Sequence, residues 1–260
     1  MDLVASEVDK PDISQPATET VAVAVVPSDS VCDMGKIPVI SVIVNVDFMS
    51  KYVWRGIVFN KKPVLQPSLT LGYGAVSLNF WSNMDMTDQN GYSNKFNELD
   101  FTFDYSSSLS SLEYSAGMDK FTFPNTGFNS TTEMYLSLSS EKTGDASVTV
   151  YQDIDQCEGT YISLGNGTSI HLGNLTSLDV GVSINWGSAK HNNFYYGVDN
   201  SAVTDCSFSI SATFDLWRFI SLTPSIAYSA LMNSSIRQAF KANDIERDTL
   251  FGGIGAGVSF

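Results

Sequence analysis

Thr249-Leu250-Phe251-Gly252-Gly253-Ile254-Gly255-Ala256-Gly257-Val258-Ser259-Phe260 closes the sequence with a period of two. Leu250, Ile254, Ala256, Val258 and Phe260 fall on one face of an extended strand, and Thr249, Gly253, Gly255, Gly257 and Ser259 fall on the other. Such a stretch is either an amphipathic edge strand of a soluble sheet or a strand with lipid on one side and a polar interior on the other. The remainder of the chain decides between the two.

Working outward from this stretch, the same alternation recurs. Ile220, Leu222, Ile226 and Tyr228 stand against Ser221, Thr223, Ser225 and Ser229; Phe208, Ile210, Ala212 and Phe214 stand against Ser207, Ser209, Ser211 and Thr213. Earlier, Leu178 to Trp186, Tyr161 to Leu172, Ala146 to Asp153, Glu133 to Ser139, Leu112 to Asp119, Glu98 to Tyr105, Val76 to Asn83, Leu65 to Tyr73 and Ile40 to Phe48 repeat it. That makes about twelve strands, most near the length a tilted membrane strand needs. Connections after odd strands are mostly long and those after even strands mostly short. This sorting is expected of an up-and-down barrel with loops at one end and turns at the other, and a soluble sandwich has no reason to show it. Aromatic residues cluster near both strand ends, as in the two interfacial girdles of a membrane barrel.

Composition agrees. Charged residues make up 16% of 260 residues, too few for a typical soluble domain, yet no run approaches the roughly 18 apolar residues of a spanning helix. A net charge of −14, with 14 scattered basic residues, argues against a nucleic-acid partner. The expectation is an all-β chain: a transmembrane antiparallel up-and-down β-barrel over residues 37–260, preceded by a flexible extension over 1–36 rich in Asp, Glu, Pro, Ser and Thr. The acidic start Met1 to Asp9 lacks a basic region followed by an apolar core, so the reading is of a mature exported form. As the closing strand of a bacterial outer-membrane barrel, the last stretch presents Phe260 as a signal to the barrel-assembly machinery, with outer-membrane lipid around the apolar faces and both termini periplasmic.

The polar faces carry acid. Asp47, Glu98, Asp100, Asp119, Glu133 and Asp153 fall in the loop-side half, and Asp104, Glu113 and Asp179 fall elsewhere on the same faces. Two consequences are open. The carboxylates line a vestibule of a passive channel that prefers cationic or neutral small solutes. Alternatively, Arg55, Lys51, Lys61 and Lys62 fold in from the first long connection and plug the barrel, leaving a scaffold or receptor that works through its loops. The Ser106 to Ser111 run reads as a turn, and Gly187 to Val203 and Met232 to Asp248 as long loops.

Catalysis finds little support. The two histidines, His171 and His191, fall at opposite ends and cannot share a metal or complete a Ser/His/Asp arrangement. The chain is therefore read as a non-enzyme without metal or cofactor. Cys32, Cys157 and Cys206 lack metal-ligand spacing, and Cys157 with Cys206 is the candidate pair should one form.

The stretch Tyr52-Val53-Trp54-Arg55-Gly56-Ile57 is similar to the signature of the bacterial Gcw_chp family of uncharacterised outer-membrane proteins. Pro63-Val64-Leu65-Gln66-Pro67, Trp81-Ser82-Asn83 and Glu98-Leu99-Asp100 continue the resemblance over residues 40–105, while Val58-Phe59 depart from it. It implies an outer-membrane barrel and supplies no substrate. The motif reads physically as a latch. Arg55 would pair bidentately with an inner-face carboxylate such as Glu98 or Asp100, Trp54 and Tyr52 would anchor the loop at the interface or mouth, and Gly56 would permit a sharp bend.

Overall fold

The computed structural model describes residues 40–140, 142, 145–173 and 176–260. The extension 1–36 lies outside them, as does Cys32. Twelve of the described strands close into one antiparallel barrel: β1 (Ile40–Met49), β4 (Val64–Tyr73), β5 (Val76–Asp85), β6 (Phe96–Leu109), β7 (Leu112–Thr122), β8 (Thr131–Ser140), β9 (Ala146–Asp153), β10 (Thr160–His171), β11 (Thr176–Gly187), β12 (Ala202–Trp217), β13 (Ile220–Leu231) and β14 (Asp248–Ser259). Each pairs with its sequence neighbour. Closure comes from β1, which pairs with β4 through Ile40 to Met49 and with β14 from Ile43↔Ser259 to Met49↔Gly253. A closed sheet has no free edge, which is what allows strands to cross a membrane.

Alternation sets the two faces. Leu78, Phe80, Phe101, Phe103, Leu136, Leu164, Val182, Ile226 and Ile254 are exposed around the outside. That is far more apolar surface than a soluble monomer presents, and it makes a lipid-facing belt. Inside, Ser, Thr, Gly and Asn dominate, with the carboxylates among them. Lys120 is the one Lys or Arg in the twelve barrel strands.

Turns at one end are short: Gly74-Ala75, Ser110-Ser111 and Arg218-Phe219 join their strands directly. At the other end stand the long connections, and three of them carry a hairpin or an α-helix of their own. Residues 50–63 form a separate two-stranded hairpin of β2 (Tyr52–Trp54) and β3 (Ile57–Asn60). The connection after β11 contains α1 (Ala189–Tyr196), and the one after β13 contains α2 (Ser234–Ala242). These helices replace the two unstructured loops the sequence suggests. The Ser106 to Ser111 turn is also corrected, because β6 runs on to Leu109 with Ser106↔Ser115 and Ser108↔Glu113 paired, and only Ser110, at φ 60°, and Ser111 turn. Serines on a barrel wall need no turn to keep them solvated.

Candidate functional site: the plugged barrel mouth

A fourteen-residue connection is far longer than needed to join two adjacent strands, and residues 50–63 use the excess to fold back into the barrel. At the tip of the β2–β3 hairpin, Arg55 and Gly56 both take positive φ, 43° and 80°. Two such residues in succession form the tight turn whose twist matches a hairpin's. Gly56 adopts this conformation freely, whereas Arg55 pays backbone strain for it.

The tip crosses the lumen. Arg55 donates from Nη1 to Glu133 Oε1 at 3.0 Å and from Nη2 to Glu133 Oε2 at 2.7 Å, reaching β8 on one wall. Gly56 packs against the opposite wall, where an added Cβ would lie 2.7 Å from Leu231 Cδ2 and 2.9 Å from Asp205 Cβ. Tyr52 donates to Glu98 Oε2 on β6 at 2.8 Å. At the hairpin's entrance, Lys51 Nζ reaches Glu246 and Thr249, each at 2.7 Å. One short hairpin is thus fixed to strands from β6 round to β14.

Arg55 and Glu133 are 6% and 2% exposed, so the pair is desolvated. The Arg55 guanidinium lies 4.1 Å from the Tyr161 ring centre, 4.2 Å from Trp54 and 5.0 Å from Tyr151, which supplies cation–π attraction where water is excluded. Tyr196 Oη donates to the Arg55 carbonyl at 2.8 Å, tying α1 to the tip.

The helices complete the cap. Ser188 caps α1 by accepting from His191 N–H, and Asn233 caps α2 by accepting from the N–H groups of Ser235 and Ile236. Tyr195 and Tyr196 of α1, Ile236 and Phe240 of α2, Trp54, Ile57, Trp81, Phe121 and Leu231 form one buried cluster across the mouth. Trp54 meets Tyr195 edge-on at 5.1 Å, and Tyr196 meets Phe240 at 5.9 Å. A membrane barrel keeps its apolar residues outside, so a hydrophobic core inside one end is a separate structural unit.

The sequence-selected carboxylates divide accordingly. Glu98, Asp100, Glu133 and Asp153 are buried in the cap. Asp153 is held by Thr131 Oγ1 at 2.6 Å and by backbone N–H groups of Asp155, Cys157 and Glu158, which shapes the β9–β10 loop. Asp47 and Asp119 are half-buried; Asp47 lies against Gly255, where a Cβ would collide with its carboxylate. Arg55 pairs bidentately with Glu133 of β8, an inner-face carboxylate the sequence reading did not name as its partner. Tyr52 and Trp54 are buried inside the cap and do not sit at the lipid interface. Phe260 is exposed at the short-turn end, stacked on Phe219 at 5.6 Å.

Cys157 and Cys206 are both free thiols, which corrects the candidate pair: Cys157 is buried under the cap, while Cys206 sits on β12 beside Met232. Burial, aided by Asp153, pushes the Cys157 thiol up to about 12. Among the described residues no group of three or more His, Cys, Asp or Glu could hold a metal ion. Sequence reasoning passed over Asp205, which accepts from Tyr161 Oη, Thr204 Oγ1 and Asn185 Nδ2, and weighed His191 only as a metal or triad residue, whereas the structure buries it between tyrosines.

A family model for MipA, the MltA-interacting protein, matches residues 49–238, from the plug hairpin to the middle of α2. The chain belongs to the MipA family. This is the family found, in place of the one that residues 40–105 resemble. Among curated proteins none matches the chain in sequence. In fold, this MipA-family barrel is similar to a KdgM porin in complex with disordered oligogalacturonate, with a TM-score of 0.51 and 10% identity over 85% of this chain and 99% of that one. It is similar also to the NanC porin, with a TM-score of 0.50 and 12% identity over 84% and 98%. The fold is that of outer-membrane porins.

Proposed function

We propose that this MipA-family barrel is a closed outer-membrane scaffold that works through its outer loops and cap, with the long-loop end outward and both termini periplasmic. The observation that carries this reading is the Arg55–Glu133 pair, which anchors a buried hairpin across the mouth. A constitutive pore would leave those carboxylates facing water. In this reading the protein performs no catalysis, needs no cofactor, and uses Phe260 for delivery to the barrel-assembly machinery. MltA, the partner in the family's name, is the first candidate for binding.

A second reading, a porin-like channel, draws on the short-turn half. There Asp104, Glu113 and Asp179 are half-buried or exposed, and none of the strands that carry them places a Lys or Arg in that half. Were the cap displaced, such a lumen would favour cations and small neutral solutes.

Planar-bilayer recording at neutral pH separates the two. The expected result is no steady conductance from the folded wild type, and a steady, cation-preferring conductance once residues 52–58 are replaced by a Gly-Ser linker. Steady conductance from the wild type would overturn the scaffold reading. Failure of purified MltA to bind the closed barrel would remove the named partner without touching closure.

A further inference from the structure

We propose that His191 is a proton sensor that loosens the cap as the pH falls, an inference that rests on the closed-barrel reading. His191 is 1% exposed, and neither ring nitrogen has a hydrogen-bond partner. Its imidazole lies 4.9 Å from the Tyr161 ring, 4.7 Å from Tyr195 and 5.8 Å from Tyr196. Tyr161 is also the ring against which the Arg55 guanidinium packs at 4.1 Å. A proton on His191 would place a second cation beside the same tyrosine, with no acceptor for either N–H.

The surrounding charges leave that cation uncompensated. From the hairpin comes Arg55, already paired with Glu133 of β8. From the β9–β10 loop comes Cys157, which shares Gly159 as a packing surface with the His191 backbone; Asp153 at the end of β9 is occupied by Thr131 and backbone N–H groups. Asp205 of β12 is engaged by Tyr161, Thr204 and Asn185. On α1 itself, Lys190 points outward to Glu158 at 2.9 Å, and α2 contributes Phe240, which carries no charge. Burial, with Arg55 second, holds the imidazole well below the ordinary histidine range.

The direction follows from linkage. The closed mouth takes up the proton less readily than an open one, in which His191 meets water and titrates near its usual ~6.5. Closure is therefore fully favoured above about pH 6.5 and weakens as the pH falls below it, by up to about tenfold in the opening equilibrium per unit for one proton. The histidine's own share is the part of this response that a variant without an imidazole at position 191 removes, and the other histidine, His171, is exposed at the far end of β10.

The test is bilayer recording of wild type and H191F from pH 7.5 to 5.0, with insertion checked by heat-modifiable gel mobility. The wild type should be closed at pH 7.5 and open about tenfold more often per unit below roughly pH 6.5, while H191F should stay closed throughout. An opening frequency that is flat in the wild type, or equal in H191F, overturns the sensor. Conductance at pH 7.5 overturns the closed-barrel reading instead. If H191F fails to insert, H191Q takes its place. In an H171Q background, nuclear magnetic resonance of the single remaining imidazole gives an independent readout: titration in the ordinary histidine range while the barrel is closed would also refute the proposal.

Discussion

The two ends of the barrel use the same strands and the same alternation, yet they solve opposite problems. At the short-turn end the inner face is Ser, Thr, Gly and Asn with scattered carboxylates, and side chains such as Glu113 stay exposed. At the long-loop end the inner face meets the hairpin and two helices, and Asp85, Glu98, Glu133, Asp153 and Asp205 are all buried. A carboxylate in water needs nothing, whereas a carboxylate out of water needs a partner. The difference teaches that the acidity of the strands is not by itself evidence of a conduit, because what covers the residue decides what its charge does.

Removing Arg55 should break the comparison most severely. Arg55→Ala leaves Glu133 buried and unpaired, a change that costs about 3–5 kcal/mol in desolvated pairs. The cap should detach while the barrel persists, so bilayer conductance should rise and heat-modifiable mobility should stay unchanged. Arg55→Lys should fall short of wild type, since a point charge cannot reproduce the bidentate geometry. Ile236→Ala comes next. Ile236 is fully buried beneath α2, and its truncation should cost the cap about 2–5 kcal/mol. Protease nicking of residues 232–247 should accelerate accordingly, with the strands untouched.

Gly56→Ala sharpens the contrast at smaller scale. The added methyl would press on Leu231 and Asp205 at a backbone φ of 80° that favours glycine. Overpacking of this kind costs about 1–3 kcal/mol. Urea titration in detergent should show it as a lower midpoint for a first, cap-specific transition, while the barrel transition stays put.

The barrel half was legible because period two and loop-length parity are local facts of sequence. The cap was less so. α2 carries a signal that the reading of Met232 to Asp248 as a loop missed, with Asn233 as a cap residue and Ile236 and Phe240 four apart on one helical face. α1 is flanked by cap residues, Ser188 and Gly197, but shows no apolar face: its buried residues are His191, Asn192, Tyr195 and Tyr196, which look polar until other chain segments cover them. The latch residue Arg55 could be chosen from its motif, but Glu133 as its bidentate partner could not. Which carboxylate it meets depends on strand tilt and stagger, and alternation encodes neither. The Ser106 to Leu109 stretch misled for a related reason, since small hydroxyl residues suit a turn and a barrel wall equally.

The smallest expected effect belongs to the short-turn half. Glu113 is exposed on β7, with Ser139 Oγ donating to it at a long 3.3 Å. Glu113→Gln removes a charge that water already solvates, so stability should change by less than about 0.5 kcal/mol. The same substitution in a barrel lacking its plug hairpin should lower cation preference, measured as a shift of reversal potential across a salt gradient. If Glu113→Gln instead destabilises the barrel by as much as Ile236→Ala destabilises the cap, the short-turn half has a packed interior of its own, and the division between a buried mouth and a solvated lumen fails.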